Sequence, residues 1–228
     1  MKMSEIVTGT EMDMLTRRRF LEGASFASLL LAAGCSEGAH ESNNLKKEKD
    51  GMEFTELIEA RRSVRRYAKS EISKDEMDKI VADALNAPSW KNSEPTRYYA
   101  AIGAEAKDRL WKEALPGFNA ANSANAAALV AVTFVPGESG FMGSAPADDL
   151  GNMWGAYDCG LASSYFILAA KNRGWDSLIM GIRNTAKFKE ILGIPANEIL
   201  MSVIAIGKAA AKPMKVPRKS VAEVLKTK

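Results

Sequence analysis

The sequence predicts an α+β fold. Three observations predict it. Apolar runs of strand length and amphipathic runs of helix length follow one another without the regular period of βαβ units. No Gly-x-Gly-x-x-Gly follows a strand and there is no P-loop, so a dinucleotide fold is not expected. The chain has 228 residues, 46% apolar and 26% charged, which is a globular composition with room for one ordinary domain or two small ones.

The elements follow in order. Phe54, Leu57 and Ile58 recur at helical spacing, so 53–62 reads as an amphipathic helix. Ser73 followed by Glu76 reads as a capping box opening a helix over 74–86, with Met77, Ile80, Val81, Ala84 and Leu85 as its apolar stripe and Pro88 beyond its end. Arg97 to Ile102 reads as a strand, and 104–114 as a short helix. Ala128 to Val135 is an unbroken apolar run, hence a buried strand, closed by Pro136-Gly137. A Gly-rich polar loop spans 136–148. The longest helix follows over 150–173, with small residues such as Gly155, Gly160 and Ala162 that permit close packing, and Gly174 as its stop. A short segment from Trp175 to Gly181, a helix over 185–192 and a β-branched strand from Ile199 to Ile206 complete the core. The tail, 212–228, is basic.

The N-terminus is of a different kind. Residues 1–50 hold 7 basic and 8 acidic side chains, a balance of −1, so with a chain total of +3 the remaining 178 carry +4. Thr16-Arg17-Arg18-Arg19-Phe20-Leu21 precedes a mild apolar run from Phe26 to Ala33, too short for a bilayer, which needs about 20 residues. Thr16, Arg17, Arg18, Phe20 and Leu21 resemble a twin-arginine export signal position by position. Leu31 to Cys35 resembles a lipoprotein processing site in part, with Ala32 where a larger aliphatic residue is usual; simple cleavage without a lipid is the alternative. The expected organisation is a signal over 1–35, a polar tether over 36–51 and a folded domain over 52–228. Export would place the protein in the periplasm or on the outer face of the cytoplasmic membrane.

Composition excludes several chemistries. The single histidine, His40, falls in the tether, which removes a Ser-His-Asp triad and any site needing two imidazoles. Two cysteines exclude a four-cysteine zinc centre, and no metal site is expected. A net charge of +3 does not call for nucleic acid.

Three segments carry chemistry. Arg61-Arg62-Ser63-Val64-Arg65-Arg66 puts four guanidinium forks and a hydroxyl at a helix end, suited to a phosphate; a solvated basic helix end is the plainer reading. Pro88-Ser89-Trp90-Lys91-Asn92-Ser93-Glu94-Pro95 is a stiff loop offering polar groups to a heteroaromatic ring, or a surface turn between a helix and a strand. Asp158, amid small and apolar residues of the long helix, is either buried and functional or bonded to a neighbouring backbone; Cys159 reads as a small core residue.

In this order and spacing the segments resemble the FMN-dependent nitroreductase family over about 52–225. Arg61 to Arg65 match its opening Arg-Arg-Ser-Val-Arg-like motif. Pro88, Ser89, Asn92, Glu94 and Pro95 match its Pro-Ser-x-x-Asn-x-Gln-Pro loop. Asp158, Gly160 and Ala162 match its long helix, Ile206-Gly207 its last strand, and Pro217-Arg218 its tail. The resemblance implies an α+β, nitroreductase-like fold with a central mixed β-sheet flanked by helices, an intertwined homodimer and FMN at the dimer interface. It implies that Arg61, Arg62 and Ser63 hold the phosphate and ribityl end, that Arg218 closes over the phosphate, and that Arg65 lies near the N1–C2=O edge. Pro88, Ser89, Trp90 and Asn92 would come from the other subunit. Met180 and Gly181 match the place that gives a backbone N–H to flavin N5, and Asn119 or Asn122 the pyrimidine edge.

Two departures stand out. Glu94 replaces the usual Gln, which would oppose negative charge on the ring unless protonated or paired with Arg97. Thr96 replaces a common Trp, which makes that wall roomier. The implied activity is two-electron transfer from a donor to a small acceptor, a nitroaromatic, a quinone or similar. The donor is NAD(P)H or, if the protein is exported, a quinol or a redox protein. The competing readings are an exported binding lipoprotein without redox activity and an FMN-binding sensor or storage protein.

Overall fold

The computed structural model describes residues 51–228. The signal segment, Cys35, His40 and all but the last residue of the tether lie outside the described residues.

In chain order the elements are α1 (Phe54–Ala60), β1 (Tyr67–Ala68), α2 (Lys74–Ala84), β2 (Thr96–Ala101), α3 (Ala104–Arg109), α4 (Gly117–Asn122), β3 (Ala128–Phe134), β4 (Phe141–Met142), β5 (Ala145–Pro146), α5 (Met153–Asn172), β6 (Asp176–Met180), α6 (Thr185–Leu192), β7 (Ile199–Ala209) and α7 (Val221–Val224). A single 3₁₀ turn spans Trp90–Asn92, and α3 runs on into a wider π turn over Leu110–Ala114.

The five-stranded sheet runs β1-β7-β3-β2, with β6 also on β7. All its ladders are antiparallel. The sheet is mixed only through one parallel bridge, Ser63 to Ser177. β3 is buried along its whole length, as its apolar run predicts. The pleat sends alternate residues to opposite faces. Leu129 and Ala131 join one core with Leu110, Ala114 and Phe188, under α3 and α6. Ala128, Val130, Val132 and Phe134 join the other with Ile80, Phe166 and Ala170, under α2 and α5. Helices therefore cover both faces of the sheet, a three-layer arrangement.

Several local expectations hold for the stated reasons. The Ser73 hydroxyl accepts the Glu76 N–H at 3.1 Å and starts α2. The Glu76 carboxylate does not close the box; it accepts the Trp175 indole N–H at 3.2 Å and ties α2 to the start of β6. Gly174 ends α5 at φ +73°, a conformation that costs glycine nothing. Gly155 lets α5 lie on β3, because a Cβ there would meet the Phe134 ring at 2.6 Å. The thiol of Cys159 is buried, and burial pushes it up to about 11, so it is a core residue and not a nucleophile.

Three further features go beyond the expectations above. The loop over 136–148 contains the small β4–β5 hairpin. α4 begins directly after Pro116. α7 closes the chain with a full capping box of Ser220 and Glu223.

Candidate functional site

The Arg-rich segment leaves α1 as extended chain, with Arg61 at φ −63°, ψ 124°. The Val64 N–H donates to the Ser177 carbonyl at 2.9 Å, which pins the segment to β6. Val64 is buried while Ser63 and Arg65 are exposed, so those two side chains point away from the core. The Ala210 N–H donates to the Arg66 carbonyl at 2.9 Å and draws the chain beyond β7 alongside. Arg218 thereby joins Arg61, Arg62, Ser63, Arg65 and Met214 around a cavity of about 420 Å³.

The electrostatics of this cavity are one-sided. Arg61 is half-buried, and its pKa is lowered by burial first, then by the charges of Arg218 and Arg62. Among the described residues no carboxylate pairs with Arg61, Arg62, Arg65, Arg66 or Arg218. Converging cations repel one another and are stabilised by an anion, and guanidinium forks match phosphate oxygens. The residues fit the phosphate end of FMN.

Arg65 also lines a second cavity, of about 270 Å³, with Asn119, Asn122, Met180, Gly181 and Ile182. Gly181 is exposed and has open space where a Cβ would stand, so a flat ring has room to approach the backbone. Asn119 is turned inward, its amide donating to the Ile182 carbonyl at 2.7 Å. That leaves Asn122, rather than Asn119, to face a ligand. The two cavities share Arg65, one on the guanidinium cluster and the other at the end of β6.

The 88–95 loop lies elsewhere in the chain. Pro88, Ser89 and Glu94 line a separate small cavity of about 70 Å³ with Thr96, Tyr98 and Asp158. Three non-glycine residues of the loop adopt positive φ: Lys91 at 51°, Asn92 at 55° and Glu94 at 47°. Such strain persists only where surrounding contacts enforce it, and it marks functional segments. Asp158 supplies the main contact. It is 2% exposed and accepts the Trp90 N–H at 3.0 Å and the Ser139 hydroxyl at 2.6 Å. The Ser93 and Ser139 hydroxyls are 2.6 Å apart, and the Ser89 hydroxyl accepts the Glu94 N–H at 2.9 Å. Asp158 is thus the buried latch that fastens two loops onto α5.

Glu94 does not pair with Arg97. Its carboxylate accepts the Asn92 amide at 2.9 Å, while the Arg97 guanidinium donates to the Glu94 and Thr96 carbonyls at 2.7 and 2.9 Å. The loop curls back on itself through its positive-φ residues, which turns the Glu94 backbone toward Arg97 and the side chain toward Asn92. Thr96 also borders a wider cavity, of about 460 Å³, beside Leu85 and Tyr98, in keeping with a roomy wall.

Sequence reasoning missed Ser139, buried in a Gly-rich loop, and Arg183, which lies behind the end of β6. A serine among glycines and an isolated arginine after Gly-Ile give no pattern to read.

Comparison with known proteins agrees with this fold. The chain matches the Nitroreductase family over residues 58–208. It is 30% identical over 164 residues to "Putative NADH dehydrogenase/NAD(P)H nitroreductase" of Archaeoglobus fulgidus, covering 68% of this chain and 84% of that one. Among solved structures, a nitroreductase family protein from Clostridium novyi is 28% identical with a TM-score of 0.60, over 69% of this chain and 87% of that one. The fold also matches "a putative nitroreductase in complex with FMN" from Exiguobacterium sibiricum, with a TM-score of 0.69 at 24% identity, over 78% of this chain and 98% of that one. From its sheet, its arginine-lined cavity and these matches, the chain belongs to the nitroreductase family.

Proposed function

We propose that the chain is an FMN-dependent oxidoreductase that moves two electrons from a reduced donor to a small organic acceptor such as a nitroaromatic or a quinone. The observation that carries this reading is the set of guanidiniums around one cavity, without a paired carboxylate among the described residues, continued through Arg65 to the open backbone at Gly181. When bound, FMN supplies the redox chemistry. Arg61, Arg62, Ser63 and Arg218 hold its phosphate end. Arg65 places a cation where the electron-rich ring carries negative charge. Met180 and Gly181 offer backbone at the N5 edge, and Asn122 its amide at the pyrimidine edge.

The working form is proposed to be a homodimer. α1 buries none of its residues, leaving Phe54 and Ile58 exposed, and the tail presents Val221, Val224 and Leu225 to solvent. Grouped exposed apolar side chains mark interaction surfaces, and a second copy is the proposed occupant. A second copy is also what brings Pro88, Ser89, Trp90, Asn92 and Glu94 to the flavin. Mass measurement in solution at twice the chain mass supports the dimer, and a Phe54→Asp, Ile58→Asp variant that becomes monomeric assigns α1 to the interface.

Export through Thr16 to Leu21 is part of the proposal, with Cys35 as the residue to take a lipid if one is attached. NAD(P)H is scarce outside the cytoplasm, so the proposed donor is a quinol or a redox protein. The name of the Archaeoglobus relative attaches NAD(P)H to that protein. Stopped-flow reduction of the bound flavin decides the donor: slow reduction by NADH and NADPH with rapid reduction by a quinol supports the exported assignment, and the reverse overturns it. A flavin that no donor reduces at turnover rates would make the protein a sensor or store.

A further inference from the structure

Arg183 follows β6 and is partly buried. Its guanidinium donates to the Gly181 carbonyl through one terminal nitrogen and to the Leu200 carbonyl, on β7, through the other. Its Nε is buried with no partner among the described residues. No carboxylate among them pairs with it, and burial alone lowers its pKa. A guanidinium drawn out of water without an acid is costly, so something else must offset it.

Its position indicates what that is. Met180, Gly181 and Ile182 line the cavity proposed for the ring, whereas Arg183 does not. The cation therefore stands behind the backbone wall. The Gly181 carbonyl and the Ile182 N–H belong to one peptide unit, and the described chain has no cis peptides, so the two groups point opposite ways. A guanidinium on the carbonyl turns the Ile182 N–H away from itself. It also polarises the peptide, which strengthens that N–H as a donor. Asn119, which lines the cavity, donates to the next carbonyl, that of Ile182.

We propose that Arg183 is a positioning residue for the flavin. By holding and polarising the Gly181–Ile182 peptide from behind, it stabilises negative charge on a ring seated against that backbone. The proposal rests on the FMN reading above. It adds a residue that acts through the backbone and touches no ligand.

The test uses the FMN-loaded full chain and its Arg183→Gln and Arg183→Lys variants. FMN content is measured first; a parental protein that takes up no FMN overturns the reading of the site itself, separately from the role of Arg183. In loaded protein the midpoint potential of the bound flavin is then read spectroelectrochemically. Arg183→Gln should weaken binding of the reduced form relative to the oxidised form by about tenfold, a fall of about 30 mV for a two-electron couple. Arg183→Lys should recover part of that fall. Amide hydrogen exchange, measured without flavin, should slow at Ile182 in Arg183→Gln, because an N–H no longer polarised by the cation is less acidic. If Arg183→Gln does not fold, Arg183→Lys alone decides, with a smaller shift in the same direction. An unchanged potential in a folded, loaded variant overturns the proposal.

Discussion

Replacing Asp158 by Ala tests the latch that holds the 88–95 loop. The carboxylate is buried and accepts two hydrogen bonds, from the Trp90 N–H at 3.0 Å and the Ser139 hydroxyl at 2.6 Å. Hydrogen bonds to a charged group contribute about 1.5–3 kcal/mol each, so losing both costs about 3–6 kcal/mol. Both bonds fall on one carboxylate oxygen, Oδ2, which the amide oxygen of Asn can replace as a neutral acceptor, so Asp158→Asn should cost only about 1–2 kcal/mol. The loss has a second consequence. Lys91, Asn92 and Glu94 hold positive φ against their preference, and each such residue stores about 1–3 kcal/mol. Without the latch the loop relaxes, and any FMN contact it makes across a dimer loosens. Urea unfolding of the parent and both variants, with FMN affinity read by flavin fluorescence, measures both effects. If Asp158→Ala unfolds within about 1 kcal/mol of the parent, the latch is not what fixes the loop.

Three more outcomes follow from the structure. Exchanging both Arg61 and Arg218 for Ala should weaken FMN binding about 100-fold or more, read by fluorescence titration, since two charge-assisted contacts to phosphate are lost; parental affinity would mean that the phosphate binds elsewhere. Gly155→Ala should destabilise by about 1–3 kcal/mol in urea unfolding, because the new methyl meets the Phe134 ring at 2.6 Å in a packed core; a neutral result would show that α5 can lift off β3. Burial first, and then the hydrogen bond to Glu198 and its charge, push the Tyr99 phenol up to about 12. The folded state thus holds that proton more tightly than an unfolded tyrosine titrating near 10, so the associated stability is complete below pH about 10 and is lost as pH rises toward 12. Tyr99→Phe should flatten the loss across that window, with a residual slope from Tyr67 and Tyr98, which burial also raises; an unchanged slope would remove Tyr99 from the alkaline transition.

What was legible in the sequence follows from the strength of local physics. β3 and α2 were readable because an unbroken apolar run and a capped amphipathic stripe each have one good burial solution. The π turn after α3 and the two-residue β1 were not, since long-range packing and not propensity sets them. At the site, Arg61, Arg62, Ser63, Arg65 and Arg218 were singled out by residue type and order, and they share a cavity. Pairing with Arg97 is one of two ways open to Glu94 in the sequence, and it does not form, because sequence proximity says nothing of a side chain's direction when the backbone passes through positive φ. Asp158 was recognised as burial-prone, but its partners, 68 and 19 residues away, are set by tertiary contact. Arg183 had no pattern at all, because its role depends on which way a peptide plane faces.

The measurement that tests the account most directly is the flavin content of the purified full chain. Its visible spectrum is recorded, and any flavin is released, identified and counted. The account predicts a yellow protein with about one FMN per chain, held by the phosphate end as well as the ring, so that FMN binds more tightly than riboflavin. A colourless protein that takes up no added FMN would contradict it, and an exported binding protein whose arginines hold some other anion would become the leading reading.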